Sequence, residues 1–257
     1  MTLLYKQVNL VLYSNDKMRA VSNVIVRDKR LTIFYNDRKI TTLVCSPGGY
    51  EALAAGFLRG EGLLRELANI ERIICNEADG LVSVKTCLPG PQWEDGHRGG
   101  CCVKSAAACF AGDVPPLSPV QSERRFQAVH LLHMIRELDE RSDTYRLTGG
   151  VHGAALADGG EMLLMCEDIG RHNAVDRVLG HAFLRGMATG DNFLLLSGRV
   201  SSEVVTKAAR SNVAVVVSRA APTQLAVELS DRLGVTVIGF ARGSQMSIYS
   251  NANRILA

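Results

Sequence analysis

The chain has 257 residues, 47% apolar and 21% charged, with a formal net charge of +3. That length can bury a sizeable core in one or two domains, and the composition excludes a disordered or fibrous chain. Without an apolar run of roughly 20 residues or a dense basic run, neither a membrane nor a nucleic acid is expected as a partner.

Residues Met1 to Lys6 lack the cationic start and long apolar segment of a secretion signal, which predicts a cytoplasmic protein. The seven cysteines are an odd number scattered along a chain too large to need stapling. They are expected to be free thiols in a reducing compartment.

In chain order, four extended segments come first: Val8 to Tyr13, Val21 to Val26, Leu31 to Tyr35 and Lys39 to Val44. Asn-Asp pairs at 15 to 16 and 36 to 37 punctuate them, the pattern of a strand meander with tight turns. Ser46-Pro47 predicts a helix start, with Ser46 as cap and the proline in the first turn; Leu53, Ala54, Phe57 and Leu58 then recur at helical spacing. Two more strands are expected at Arg72 to Cys75 and Leu81 to Thr86. After Cys87 a proline-bearing run without apolar period predicts a mobile loop.

That loop leads to Arg98-Gly99-Gly100-Cys101-Cys102-Val103-Lys104. The two glycines allow a tight turn that presents Cys101, and Arg98 and Lys104 are cations placed to favour its thiolate. Burial as a small core residue is the plainer expectation for any single cysteine.

From Ser122 the period changes. Ser122 is the predicted cap of a helix whose inner face is Phe126, Val129, Leu132, Ile135 and Leu138. Strands at Met162 to Cys166, Phe193 to Ser197, Val213 to Ser218 and Val235 to Phe240 then alternate with helices at Ala174 to Phe183, Glu203 to Ala209 and Thr223 to Leu233. Such alternation predicts an α/β unit with a mostly parallel sheet covered on both faces. The division expected is 1–118, a β-rich α+β domain ending in the Cys101 loop, and 119–257, the α/β domain. Ligands of such sheets gather at the carboxyl ends of the strands. There the loops carry Asp168, Arg171 and His172, then Arg199 and Ser201, then Arg219 and Thr223, and last Arg242 and Gln245. Arginines, small residues and helix-start amides suit an anion, although Asp168, Ser201 and Thr223 are also ordinary helix caps.

Several runs carry a resemblance: Ser46-Pro47-Gly48 with Leu53-Ala54 and Gly56-Phe57-Leu58, Thr148-Gly149-Gly150-Val151-His152, Glu167 through Asp176, and Ala221-Pro222-Thr223 with Leu225-Ala226-Val227. In that order, over nearly the whole chain, it resembles the formate dehydrogenase accessory sulfurtransferases, the FdhD family. The resemblance implies a sulfur carrier that takes persulfide sulfur from a cysteine desulfurase and passes it to molybdenum bis(molybdopterin guanine dinucleotide) for formate dehydrogenase. It also implies a homodimer and a C-terminal three-layer sandwich like that of cytidine deaminases.

On the family's Gly-Cys-Gly-x-Cys loop, the persulfide cysteine falls on Cys101, with Cys102 at the glycine position and Lys104 in place of the second cysteine. On its cofactor-binding run fall Phe240, Ala241, Arg242, Gly243, Ser244 and Gln245, the glutamine replacing an arginine. His152, His172, Arg171 and Arg199 are supporting candidates by loop position. The His-x-Glu and Pro-Cys-x-x-Cys of a zinc deaminase are missing, so no metal site and no zinc are expected. Two rival readings remain: an escort that binds the dinucleotide cofactor without moving sulfur, and a hydrolase using a Cys101/His172 pair.

Overall fold

The computed structural model describes residues 4–88 and 116–257. Cys101 and the loop expected to carry it lie outside the described residues.

The chain opens with a hairpin of β1 (Tyr5–Ser14) and β2 (Lys17–Val26). Asn15 and Asp16 turn it with φ of 51° and 58°, a left-handed pair that these short polar side chains tolerate. Asn36 and Asp37 do the same, at φ 47° and 66°, between β3 (Lys29–Tyr35) and β4 (Arg38–Cys45). The expected single meander is two pieces, because among the described residues β1 and β2 pair only with each other. The sheet of β3 and β4 is completed by β5 (Ile70–Asn76) and β6 (Leu81–Thr86), in the order β4-β3-β6-β5.

Helix α1 (Tyr50–Gly60) covers that sheet, and Leu53, Ala54 and Leu58 bury against Leu31, Ile33, Val82 and Val84. It begins later than expected. Its N-cap is Gly49 at φ 57°, and Ser46 is no cap because its backbone and hydroxyl are bonded to another part of the chain.

In the second half, β7 (Phe126–Gln127) precedes α2 (Ala128–Glu140), α3 (Asp143–Thr148), β8 (His152–Ala157), β9 (Met162–Asp168) and α4 (Arg171–Leu184). Then follow β10 (Phe193–Leu196), α5 (Ser202–Arg210), β11 (Val215–Ser218) and α6 (Gln224–Leu233). The chain closes with β12 (Thr236–Arg242), β13 (Gln245–Ile248) and β14 (Ile255–Leu256).

Ser122 does not cap α2: its hydroxyl bonds the Gly190 carbonyl, and Phe126 lies in β7, paired with β14. The buried face of α2 is Leu131, Met134, Ile135 and Leu138, while Val129 is 65% exposed.

The sheet is mixed rather than mostly parallel. Its order is β13-β12-β11-β10-β8-β9, and only β10–β11 and β11–β12 pair in parallel. The cause is β8, whose Gly-Ala-Ala-Leu-Ala run carries no β-branched signal of a strand. It forms a hairpin with β9 through a turn in which the Asp158 carboxylate accepts the Gly160 and Glu161 amides. The inner strands β10 and β11 are buried along their whole length, as strands covered on both faces must be. Helices α4, α5 and α6 pack in a row and α2 lies against β8, β10, β11 and β12, so the sheet sits between helical layers.

Buried side chains form two clusters, one within 31–84 and one within 120–241. They meet where α1 crosses α4. A Cβ on Gly56 would lie 1.8 Å from the Asp176 carbonyl oxygen, and one on Gly180 would lie 1.8 Å from that of Ala52. Only glycine lets the two backbones approach so closely. Among the described residues no helix is long and apolar enough to cross a membrane.

Candidate functional site

Strand β8 runs antiparallel to both β9 and β10, and β10, β11 and β12 are parallel, so β9 to β12 all point the same way. Their carboxyl ends therefore share one edge of the sheet, even though the sheet is mixed. His152, which opens β8 opposite Asp168, lies on that edge too.

The run 240–245 ends β12 at Arg242, turns through 243–244 and opens β13 at Gln245. The register slips between Gly239 and Arg242, and Phe240 sits inside the slip at φ 51° with 46% of its surface exposed. A large aromatic residue in the left-handed region is strained, and here the strain holds a ring out at the end of the sheet. Ala241 is buried, and Gly243, at φ 57°, has open space where a Cβ would stand. The Arg242 guanidinium donates to the Arg219 carbonyl at 3.0 Å, which fixes it against the loop after β11. Arg219 is itself held by Asp139 of α2 at 2.6 Å.

Next along the edge are His152, Arg171 and His172. Gly198 makes room for the first two: a Cβ there would come within 3.3 Å of both the Arg171 side chain and His152 Nδ1. Burial, then the nearby charges of Arg171 and His172, hold the His152 imidazole below its ordinary pKa. Its Nδ1 lies 3.4 Å from the Ser197 hydroxyl. Arg171 Nε is buried with no hydrogen-bond partner among the described residues.

His172, the second residue of α4, uses both ring nitrogens. Nε2 is 3.0 Å from Ser201 Oγ and Nδ1 is 3.0 Å from Glu203 Oε2. Ser201 is the N-cap of α5, as Thr223 is of α6. Arg199, on the same loop as Ser201, is exposed to solvent.

Asp168 is not a helix cap. It is fully buried and accepts the Ser46 amide, the Gly170 amide, the Asn173 side chain and the Arg177 guanidinium at 2.7 to 3.1 Å. Arg177 in turn donates to the Ser46, Gly48 and Gly49 carbonyls, and Asn173 to that of Val44. Ser46-Pro47-Gly48 and the 167–176 run are thus two halves of one buried latch. Beside it a buried ion pair joins Asp176 of α4 to Lys207 of α5. In sequence Arg177 and Lys207 are indistinguishable from other basic residues of amphipathic helices, and only their burial beside a carboxylate marks them.

Among the other cysteines, burial pushes Cys45 up to about 12 and Cys75 and Cys166 to about 11. Such thiols carry almost no thiolate near neutrality.

A model described as the FdhD/NarQ family matches residues 26–256. The chain is 36% identical over 247 residues to a protein of Bacillus subtilis named sulfur carrier protein FdhD, covering 95% of this chain and 94% of that one. A protein of the same name from Geobacillus kaustophilus is 36% identical over 248 residues, covering 95% and 94%. The fold is similar to a crystal structure described as a formate dehydrogenase accessory protein from Desulfotalea psychrophila. The TM-score is 0.81 at 26% identity, with 99% of this chain and 100% of that one covered.

Proposed function

The chain belongs to the FdhD/NarQ family, and on that premise we propose that it carries sulfur for the maturation of formate dehydrogenase. The observation that supports this most is near full-length similarity to proteins named for sulfur carriage, together with a fold shared with a protein described as a formate dehydrogenase accessory protein.

In this reading the Cys101 thiolate attacks the outer sulfur of a cysteine desulfurase persulfide. The donor's S–S bond breaks, the desulfurase thiolate leaves, and a persulfide forms on Cys101. The acceptor is molybdenum bis(molybdopterin guanine dinucleotide), bound as substrate. Its guanine end stacks on Phe240 and lies along 241–245, where the open space over Gly243 and the fixed Arg242 suit a base and its phosphates. A homodimer and a cytidine-deaminase-like sandwich belong to the same proposal. So do the two domains meeting near residue 118 and a cytoplasmic location. The exposed Val11, Tyr13 and Met18 of the β1–β2 hairpin supply an apolar surface for a protein partner.

Incubation with a desulfurase and cysteine, followed by peptide mass spectrometry, tests the reading. The expected result is one added sulfur, about 32 Da, on the Cys101 peptide. Cys101→Ser is expected to fail to restore formate dehydrogenase in a maturation-deficient strain. The second reading, an escort without sulfur transfer, draws on Lys104 standing where the family has its second cysteine. It takes over if the cofactor binds and Cys101 gains no sulfur.

A further inference from the structure

The partner of His172 suggests a second chemistry. We propose that Ser201, His172 and Glu203 form a nucleophilic relay, in which the Ser201 hydroxyl attacks the carbonyl of a small carboxylic ester. The relay uses neither Cys101 nor the 240–245 turn, and so does not depend on sulfur carriage.

The geometry is linear. Glu203 Oε2 lies 3.0 Å from His172 Nδ1, and His172 Nε2 lies 3.0 Å from Ser201 Oγ. A carboxylate only accepts, so Nδ1 carries the ring proton and the Nε2 lone pair faces the hydroxyl. The hydrogen bond from His172 holds Glu203 below the usual carboxylate range, which keeps it ionised as the orienting group.

Ser201 also caps α5, but the Val204 amide reaches its Oγ at 3.4 Å, long for a capping bond. That bond uses an oxygen lone pair, so the hydroxyl proton stays available to His172. In the first turn of the nine-residue α5 the Ser202 and Glu203 amides have no intrahelical acceptor, which leaves them as donors for a carbonyl oxygen that gains charge during attack.

The three side chains come from two helices whose relative position is fixed by the Asp176–Lys207 pair. The relay opens to solvent, since the His172 and Glu203 side chains are 26% and 35% exposed. Arg171 and Arg199, next to it in the chain, favour an ester whose acyl part carries a negative charge.

In the step, an Oγ–C bond forms as the hydroxyl proton passes to His172 Nε2. The ester C–O bond then breaks, and that proton goes to the leaving alkoxide. Water reverses the sequence: it gives a proton to His172, its oxygen bonds to the acyl carbon, and the acid leaves as Ser201 regains its proton. No oxidant or reductant is consumed.

The test treats the full chain with a fluorophosphonate probe and follows modification by peptide mapping, with p-nitrophenyl acetate turnover measured in parallel. Ser201 is expected to be labelled at least about tenfold faster than any other serine, and His172→Gln to slow that labelling by at least about tenfold. Glu203→Gln is expected to slow it less. Ser202→Ala and Cys101→Ser are expected to leave it unchanged, the latter separating it from acylation of a thiol. Labelling of Ser201 in the unaltered protein no faster than that of its other serines overturns the proposal, as does full labelling in a folded His172→Gln variant.

Discussion

Asp168 and Arg177 show how much one residue's setting decides. Both are buried, the carboxylate wholly, and each is satisfied by the other and by backbone groups on the far side of the latch. Asp168→Ala leaves the guanidinium uncompensated and is expected to lower stability by about 3–5 kcal/mol, read from denaturant unfolding. His152 offers a second test. Its folded pKa is depressed below 6.5, so the unfolded chain binds protons more readily than the folded one. Its stabilising contribution is full above pH 6.5 and is lost as pH falls through the lower folded value. An NMR titration is expected to place the His152 midpoint below 6.5, and Arg171→Gln to move it up. The cysteines provide a third test. With burial holding Cys45 near about 12 and Cys75 and Cys166 near about 11, iodoacetamide at pH 8 is expected to leave all three largely unmodified in the folded protein.

Among the elements, the crossing of α1 and α4 sets the architecture. Gly56 and Gly180 let the helices touch backbone to backbone, and the 1.8 Å that a Cβ would find at each leaves no room for relaxation by side chains alone. Gly56→Ala and Gly180→Ala are each expected to lower the urea midpoint, with a loss of about 1–3 kcal/mol or more. The same replacement at Gly186, at φ 62° with open space around it, meets only the smaller backbone cost of a left-handed residue. The elements also show what a pattern can and cannot carry. The Asn-Asp turns were legible because left-handed φ is a local property of those residues. The start of α1 and that of α2 were not, because Ser46 and Phe126 are each taken up by a distant contact, whereas Ile135 and Leu138 of the expected inner face of α2 are buried.

At the scale of the whole molecule, the described residues form two apolar clusters that meet where α1 crosses α4. Phe183 and Leu184 of α4 pack onto the cluster formed by 31–84, so the first half cannot complete its core without the second. A fragment of residues 1–118 is therefore expected to lack the dispersed amide spectrum of a folded domain, whereas the full chain unfolds in one transition. A fragment that folded alone would contradict this.

The sequence by itself determined the alternation of strands and helices, the edge where the carboxyl ends of β9 to β12 gather, the left-handed turns and the family resemblance. Each is written in local periodicity, local backbone preference or a contiguous run of residues. Only the tertiary structure decided that β8 makes the sheet mixed, that the 167–176 run is half a latch, and that His172 stands between Ser201 and Glu203. The β8 run carries no strand signal of its own, and the bonds of His172 to Ser201 and of Arg177 to Ser46 join residues 29 and 131 positions apart, separations that leave no period in the chain.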